Sequence, residues 1–209
     1  MKILKKNVGI YGANTYILYK QSKRAIIIDC GGDADVISDM VKAHDLEVEA
    51  ILITHGHFDH ITGIPELRKL VDAPVYASEK AKDLLESADK NLSASSWSGP
   101  VTLFCDGYFK DGDTLEFTDM TVQVMETPGH TEGSVVFYVQ DCLFTGDTLF
   151  TGSIGRTDLY SGNYDKIVES LRKILIHTPD NTKIYPGHGP ESTMKIEKEN
   201  NPFLLRIQC

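Results

Sequence analysis

The chain has 209 residues, of which 41% are hydrophobic and 24% charged, and its formal net charge is −9. This length and hydrophobic fraction suit one globular domain over residues 1–209 with an ordinary apolar core. The acidic excess argues against nucleic acid as a partner, and no apolar run approaches the roughly 20 residues that span a membrane. The N-terminal segment lacks the apolar region of a signal peptide, so we expect a cytoplasmic protein.

The predicted elements of the first half alternate between strands and helices. Strands are indicated by short apolar or β-branched runs between turn residues, and helices by apolar residues at helical spacing. In chain order they are a hairpin of strands at 14–20 and 24–29, a helix at 33–44, a strand at 49–54, a helix at 63–71, a strand at 74–77 and a capped helix at 78–87.

The second half begins with an irregular, serine-rich loop at 88–100 and a segment at 104–113 whose structure stays open. Strands are then predicted at 114–117, 121–126, 134–139 and 142–145, a helix at 162–177, a strand at 183–185 and a last helix at 191–199. Strands with interspersed helices in both halves predict an α/β layered domain. Because many neighbouring strands look antiparallel, we expect mixed sheets.

The four cysteines predict reduced thiols. No two of them form a Cys-x-x-Cys pair, and four in a chain of this length are too few for a disulfide framework. None lies in a motif that would lower a thiol pKa, so we expect no catalytic cysteine. The four are Cys30, Cys105, Cys142 and Cys209.

The segment at 54–60 carries the most informative side chains of the chain. His55, His57 and His60 supply three imidazoles and Asp59 a carboxylate, all within six positions. Neutral histidine is the commonest metal ligand, and aspartate adds a hard oxygen beside it. These side chains leave the end of a predicted buried strand, and loops anchored on rigid structure are where function is usually found.

Three further potential ligands follow strand-like runs in the same way. His130 lies in Thr-Pro-Gly-His-Thr, Asp147 in Gly-Asp-Thr and His188 in Tyr-Pro-Gly-His-Gly. Open α/β sheets bind ligands at the edge where strand ends meet, so the pattern predicts one site there. Asp29 is also a strand-end acid. It either orients a ligand or only hydrogen-bonds the glycine turn that follows it.

Single residues also have purely structural interpretations. His44 and His177 each close a predicted helix, where the helix dipole favours a cation, so we expect them to be structural. Asp33 is a plausible N-cap of the helix at 33–44. Asp59 also stands where a helix N-cap would stand, and this alternative is open from the sequence.

Together these motifs resemble the metallo-β-lactamase superfamily. Residues 55–60 match its His-x-His-x-Asp-His signature, and the later His130, Asp147 and His188 occur in the family's order. Within the superfamily the chain looks most like the glyoxalase II (hydroxyacylglutathione hydrolase) branch, in particular its short bacterial members. The segments that carry this finer resemblance are 146–150, 155–158, 186–190 and 197–204.

The resemblance implies a four-layer αβ/βα sandwich of two mixed β-sheets flanked by helices, with a two-metal site between the sheets. Three imidazoles with a shared oxygen suit zinc, and a set richer in oxygen also suits iron or manganese. By position, one divalent ion would be held by His55, His57 and His130, and the other by Asp59, His60 and His188, with Asp147 bridging the two.

The implied activity is metal-dependent hydrolysis of a small-molecule thioester, S-lactoylglutathione or a similar 2-hydroxyacyl thioester, by a metal-bridging hydroxide. Asp59 would also orient the nucleophile, and Arg156 would contact substrate near the pocket mouth. A thiolate needs little protonation to leave, since a free thiol has a pKa of about 8.5. Longer glyoxalase II enzymes hold glutathione with a C-terminal helical extension, whereas this sequence ends at Cys209, so the thiol carrier stays open.

Three other functions compete with this hypothesis. Sulfur (persulfide) dioxygenases look similar and use a single iron held by a His, His, Asp set. A β-lactamase or an RNA-processing nuclease of the superfamily is a second possibility, but the acidic chain and the missing signal peptide count against both. A non-catalytic metal-binding module is the third, and it predicts a closed coordination shell and no turnover.

Overall fold

The computed structural model describes residues 1–208, and Cys209 lies outside this described part. Two six-stranded sheets stack face to face, and helices cover the outer face of each. Both sheets contain parallel and antiparallel pairs. The predicted four-layer sandwich of two mixed sheets is therefore confirmed.

The first sheet has the strand order β1-β2-β3-β4-β5-β6, antiparallel from β1 to β3 and parallel from β3 to β6. Its strands are β1 (Lys2–Val8), β2 (Ala13–Tyr19), β3 (Arg24–Ile28), β4 (Glu47–Leu52), β5 (Val75–Ser78) and β6 (Gly107–Phe109). The helices of this half are α1 (Ala34–Ala43), α2 (Phe58–Ile61), α3 (Ile64–Val71) and α4 (Lys82–Leu85), with short 3₁₀ turns at Glu79–Ala81 and Ser93–Ser95.

The second sheet has the order β14-β13-β10-β9-β8-β7, in which only the β10–β13 pair is parallel. Its strands are β7 (Thr114–Glu116), β8 (Thr121–Glu126), β9 (Val135–Val139), β10 (Cys142–Gly146), β13 (Lys183–Pro186) and β14 (Ser192–Thr193), and β11 (Leu149–Phe150) and β12 (Ser153–Ile154) form a separate hairpin. The helices here are α5 (Tyr164–His177), α6 (Met194–Asn200) and α7 (Pro202–Gln208).

Strand β2 shows how the apolar residues divide between the layers. All seven of its residues are buried, although strand side chains alternate between two faces. Tyr16 and Leu18 enter the core between the two sheets, whereas Ile17 and Tyr19 enter the core under the first layer of helices. A strand buried on both faces reads as a continuous apolar run, and each large side chain contributes about 2 kcal/mol by leaving water.

Several elements differ from the predictions. Strand β1 was not predicted, because its lysines obscure the alternation of apolar and polar residues. It is an edge strand that pairs with β2 along its whole length. The predicted last helix begins later and is followed by α7, which starts at Pro202 as helices commonly do. Asp33 stands at the N-cap of α1 but makes no side-chain cap, since its Oδ2 accepts from the Gly9 amide. Cys30, Cys105 and Cys142 are free, as predicted.

The strand directions bring the functional segments to one edge. Strands β3 and β4 are parallel in the first sheet, and β8, β10 and β13 run the same way in the second, since β9 is antiparallel to both β8 and β10. A hydrogen bond from the Val135 amide to the Thr54 carbonyl joins the two sheets near these strand ends.

None of the helices within residues 1–208 combines the length and apolar character needed to cross a membrane.

Candidate metal centre

The seven predicted ligands meet at this edge, although they come from four separate strand ends. Their ligand atoms fall into three overlapping groups, and within each group all atoms lie within 4.8 Å of one another. The groups are His55 with His57 and His130, His55 with His60 and Asp147, and Asp59 with His60 and His188.

The first group, here called the buried half, consists of His55, His57 and His130. These three side chains are almost entirely shielded from solvent, with relative exposures of 1%, 3% and 3%. Nδ1 of His57 lies 2.9 Å from Nε2 of His130, so two ring nitrogens face each other directly. Nε2 of His55 is buried and has no hydrogen-bond partner within residues 1–208.

The third group, here called the open half, consists of Asp59, His60 and His188. Nε2 of His188 lies 3.2 Å from Nε2 of His60 and 3.2 Å from Oδ2 of Asp59. His60 is fully buried, but the side chains of Asp59 and His188 are 19% and 27% exposed. Solvent therefore reaches the cluster from the side of Asp59 and His188.

Asp147 lies between the two halves, and its role as a bridging ligand stays a prediction. Its Oδ2 is 3.6 Å from Nε2 of His130 and 3.6 Å from Nε2 of His188, one residue from each half. Its Oδ1 is 3.2 Å from Nε2 of His60, yet this buried oxygen forms no hydrogen bond with the described part of the chain. One carboxylate thus faces both halves.

Asp29 orients ligands in both halves, which decides between the two interpretations of this residue. Its Oδ2 lies 2.8 Å from Nδ1 of His60, and the same oxygen accepts from the Thr54 hydroxyl at 2.7 Å. A carboxylate only accepts, so Nδ1 of His60 carries the proton and Nε2 presents its lone pair to the cluster. Asp29 itself has left-handed backbone geometry, with φ of 56°.

The effect of Asp29 continues through Thr54 to His55. Because the Thr54 hydroxyl gives its proton to Asp29, its oxygen is left to accept from Nδ1 of His55 at 3.1 Å. Nε2 of His55 is then the unprotonated nitrogen, and it is the buried atom without a partner. Sequence reasoning missed Thr54 as part of this relay, since a threonine after a strand has no distinguishing pattern.

His130 is oriented by a backbone atom. Its Nδ1 lies 2.8 Å from the carbonyl oxygen of Arg156, so this nitrogen donates and Nε2 is free to bind a metal. The guanidinium of Arg156 points elsewhere and pairs with Asp158 through two hydrogen bonds of 2.7 Å. The contact of Arg156 with substrate stays a prediction, and its carbonyl has a role that no side-chain pattern reveals.

Two glycines allow the backbone to approach the ligands. A Cβ atom added at Gly187 would lie 2.2 Å from Oδ1 of Asp147 and 2.7 Å from Cε1 of His60. A Cβ atom at Gly155 would lie 1.8 Å from the carbonyl oxygen of Asp147. The glycine-rich contexts of the sequence motifs thus have a steric cause.

The electrostatics of the cluster follow from burial and from its two central acids. Burial lowers the pKa of His55 well below its usual value and that of His57 to about 3, so both are neutral at physiological pH. Burial alone would also lower the pKa of His60, but Asp147 and Asp29 raise it well above 6.5. Burial would raise the pKa of Asp147, but the neighbouring histidines, His60 above all, lower it.

These residues fit a bound cation. With Nδ1 of His60 donating to Asp29, the lone pair of its Nε2 faces Oδ1 of Asp147, and the two acceptors repel unless a positive charge lies between them. A divalent metal ion would supply that charge. A cation at the cluster would also explain why Nδ1 of His57 faces Nε2 of His130, and why Nε2 of His55 is buried without a hydrogen-bond partner in residues 1–208.

His44 and His177, which were expected to be structural, cap helices. Nδ1 of His44 bonds to the Met40 carbonyl at 2.9 Å, and Nδ1 of His177 bonds to the Lys173 carbonyl at 2.8 Å. Both lie at helix C-termini. Asp59 lies in the first turn of α2, whose N-cap position is occupied by His57, so the N-cap interpretation of Asp59 is wrong.

The family model described as the metallo-beta-lactamase superfamily matches residues 8–188. The chain belongs to the metallo-β-lactamase superfamily. A probable metallo-hydrolase of Bacillus subtilis (strain 168), YqgX, is 38% identical over 98% of each chain. Hydroxyacylglutathione hydrolase GloC of Haemophilus influenzae is 33% identical over 94% of this chain and 95% of that protein. The protein is accordingly a metal-dependent hydrolase of this superfamily.

Solved structures agree on the fold. The B3 metallo-β-lactamase BLEG-1 superposes with a TM-score of 0.92 and 38% identity, covering 97% of this chain and 99% of that one. TTHA1623, solved in a di-iron-bound form, has a TM-score of 0.85 and 32% identity, covering 96% of this chain and 100% of that one. The metallo-β-lactamase fold implied by the sequence resemblance is thereby confirmed.

Proposed function

We propose that this protein hydrolyses small-molecule thioesters of the 2-hydroxyacyl type, such as S-lactoylglutathione, at the cluster around Asp147. The observation that carries the proposal is a cluster of seven potential ligands that is closed at one end and open to solvent at Asp59 and His188. Catalytic metal sites keep such an open position, whereas structural sites are closed. The similarity to GloC supports the choice of substrate class.

The residues present divide the metal-holding task. His55, His57 and His130 would hold one divalent ion, Asp59, His60 and His188 the other, and Asp147 would face both. When bound, such ions polarise a carbonyl and lower the pKa of a bound water to about 7, which supplies a nucleophile at neutral pH. We propose zinc, because imidazoles dominate the set, with iron or manganese as the alternatives for the open half.

The chain's own groups complete the mechanism. Asp59 lies at the open side with its carboxylate 3.2 Å from His188, where it can accept a hydrogen bond from the attacking water and hold it in line with the acyl carbon. Asp29, through His60 and Thr54, keeps the Nε2 lone pairs of two ligands directed inward. The leaving thiolate needs no proton donor near neutral pH, since free thiols have a pKa of about 8.5.

A substrate panel with metal analysis tests the proposal. The purified protein is analysed for zinc, iron and manganese and assayed for thiol release from S-lactoylglutathione, other hydroxyacyl thioesters and simple acyl thioesters, with a β-lactam included. We expect turnover of 2-hydroxyacyl thioesters and an Asp59→Asn variant that keeps its fold but loses most of this activity. Turnover of the β-lactam without thiol release from any thioester would contradict the proposal.

The competing dioxygenase has a separate signature. Oxygen consumption with glutathione persulfide as substrate, together with a single iron per chain, would replace the hydrolase by an oxidoreductase. The same two measurements, metal content and oxygen uptake, therefore decide between the reaction classes without any assumption about the acyl group. Metal at full occupancy with no turnover of any substrate would favour the non-catalytic module.

A further inference from the structure

His188 differs from His55, His60 and His130 in how its ring is held. Nδ1 of His60 and Nδ1 of His130 donate to a carboxylate and a carbonyl, and Nδ1 of His55 donates to the Thr54 hydroxyl. Within residues 1–208, no atom accepts a hydrogen bond from Nδ1 of His188. The direction of this ligand must therefore be set by the backbone that carries it.

That backbone is held by Asn14, a buried residue near the start of β2. Its Nδ2 donates to the carbonyl oxygens of Pro186 at 2.8 Å and Gly189 at 3.0 Å, on either side of His188. Its backbone amide donates to the Gly187 carbonyl at 2.7 Å. One residue thus engages three of the four peptide carbonyls that surround the ligand.

The orientation of the Asn14 amide is specified by its surroundings. Nδ2 of Asn7 donates to Oδ1 of Asn14 at 2.5 Å and to the Gly12 carbonyl at 3.2 Å. Since carbonyls only accept, the amide of Asn7 can present only its nitrogen to this pair, and Asn14 must turn its own nitrogen toward residues 186–189. Asn14 is 1% exposed, so water cannot substitute for these donors.

Two other side chains from the same sheet reach the same loop. The hydroxyl of Tyr16 donates to the Pro186 carbonyl at 2.7 Å, and Nζ of Lys5 donates to the Gly189 carbonyl at 2.8 Å. Both come from strands β1 and β2 at the edge of the first sheet, whereas His188 follows β13 of the second. The contacts therefore tie the open half to the opposite sheet.

We propose that Asn14 is a positioning residue for His188 and, with Tyr16, determines whether the open half retains its metal ion. Within residues 1–208, the side chain of Asn14 hydrogen-bonds to Asn7, Pro186 and Gly189, so its influence falls on the half that contains His188 and not on His55, His57 or His130. The inference deepens the proposed function, since it rests on the metal-holding role of the cluster and not on the thioester.

The test is a Zn²⁺ titration of the metal-free full chain against a chromogenic chelator, with stoichiometry checked by elemental analysis. The variants are Asn14→Ser, Tyr16→Phe, which deletes one hydroxyl, and Lys5→Met at an exposed position. Ser93→Ala is the matched control, because Ser93 is also a buried side chain that donates to loop carbonyls, at Ala88 and Val101.

We expect two equivalents in the native protein. Asn14→Ser should weaken the second by roughly 10–100-fold and leave the first unchanged, as found when a group that orients a ligand is removed. Tyr16→Phe should act in the same direction by less, Lys5→Met by least, and Ser93→Ala should change neither affinity. A purely structural role of Asn14 would lower the melting temperature and leave the ratio of the two affinities unchanged.

The outcomes are distinguishable from failure of the proposed function. A native protein that binds no Zn²⁺, iron or manganese would overturn both this inference and the proposed function. One equivalent, or two equivalents that weaken together in Asn14→Ser, would overturn the inference alone. If Asn14→Ser does not fold, the ratio of the two Zn²⁺ affinities in Tyr16→Phe and Lys5→Met tests the inference instead. Thioester turnover is measured in parallel, and its absence with normal zinc binding would count against the substrate class only.

Discussion

The two halves of the cluster share Asp147 but are built differently. In the buried half all three ligands are histidines, each at most 3% exposed. In the open half one ligand is a carboxylate, and Asp59 and His188 are partly exposed. If the cluster binds metal as proposed, the buried half would supply nitrogen ligands and the open half would leave room for water and substrate.

The halves also differ in the range of the contacts that hold them. Two potential ligands of the buried half, His55 and His130, are oriented by hydrogen bonds that their own rings donate, to the Thr54 hydroxyl and to the Arg156 carbonyl. In the open half His188 depends on backbone contacts from the opposite sheet. Because ring contacts act directly on the ligand atom, we expect the buried half to be the more tolerant of changes elsewhere in the chain.

The largest expected effect comes from removing a ligand of the buried half. His57→Ala should lower metal content and hydrolytic activity together, since bound metal contributes several kcal/mol to the transition state and each 1.4 kcal/mol is about tenfold in rate. A fall of roughly a thousandfold or more is therefore expected. Elemental analysis and steady-state kinetics on the same preparations measure both quantities.

His177→Ala is the control for this prediction. His177 closes α5 and bonds to the Lys173 carbonyl, away from the cluster, so metal content and activity should remain nearly unchanged. If His177→Ala lowered metal content more than His57→Ala, the sorting of the histidines into ligands and helix caps would be wrong.

The clustering of these seven residues was predictable from the sequence because local chemistry and strand-end position coincide. Residues 55–60 form one segment, and His130, Asp147 and His188 each follow a strand-like run. The groups that orient these ligands were mostly invisible. A contact between Asn14 and residues 186–189 joins positions more than 170 apart, and a carbonyl such as that of Arg156 exists at every residue.

The fold was predictable to a similar extent. Apolar periodicity located the helices α1, α3 and α5 and the central strands, because burial imposes a regular pattern there. Strand β1 and the hairpin of β11 and β12 were missed, since an edge strand rich in lysine and strands of two residues have little pattern to detect. Pairing of the two sheets is a long-range property that only the structure supplies.

Asp29→Asn should weaken metal binding in both halves of the cluster, and not in one alone. Asp29 orients His60 of the open half directly and His55 of the buried half through Thr54, and an asparagine cannot accept all three of its hydrogen bonds. Loss of a group that orients a metal ligand typically lowers metal affinity by roughly 10–100-fold. We expect a loss of this size for both Zn²⁺ equivalents. Competitive Zn²⁺ titration measures each affinity.

Asp33→Asn is the matched control, because Asp33 is an acid in the same loop whose carboxylate accepts from the Gly9 amide and does not contact a ligand. It should leave both affinities as in the native protein. Weakening of a single equivalent in Asp29→Asn would show that the relay through Thr54 does not reach the buried half.

The pH dependence of the metal-free protein sharpens the description of the buried half. The pKa of His57 is lowered by burial from 6.5 to about 3, so between these values the unfolded chain binds a proton that the folded chain does not. Stability should therefore fall as the pH drops from 6.5 toward 3, by at most about 1.4 kcal/mol per pH unit for this one group. His57→Phe keeps an aromatic ring of similar size without the titration.

Urea unfolding of metal-free native and His57→Phe protein between pH 4 and 7 measures the difference in slope. His60 acts in the opposite sense, because its raised pKa contributes stability that is present below pH 6.5 and is lost as the pH rises through its folded value. That contribution is common to both proteins. Equal pH slopes in the two would contradict a buried, neutral His57.

The smallest effect is expected at Arg156, which touches the buried half only through its backbone. Its carbonyl accepts from Nδ1 of His130, whereas its guanidinium is exposed and paired with Asp158. Arg156→Ala keeps the carbonyl, so metal content and melting temperature should stay as in the native protein. If the side chain contacts substrate near the pocket mouth, as the sequence predicts, KM rises at unchanged kcat, which is the signature of lost ground-state binding. Asp158→Asn frees the same guanidinium from its partner and should lower KM for that substrate. A fall in metal content in Arg156→Ala would instead assign the side chain, and not only the carbonyl, to the positioning of His130.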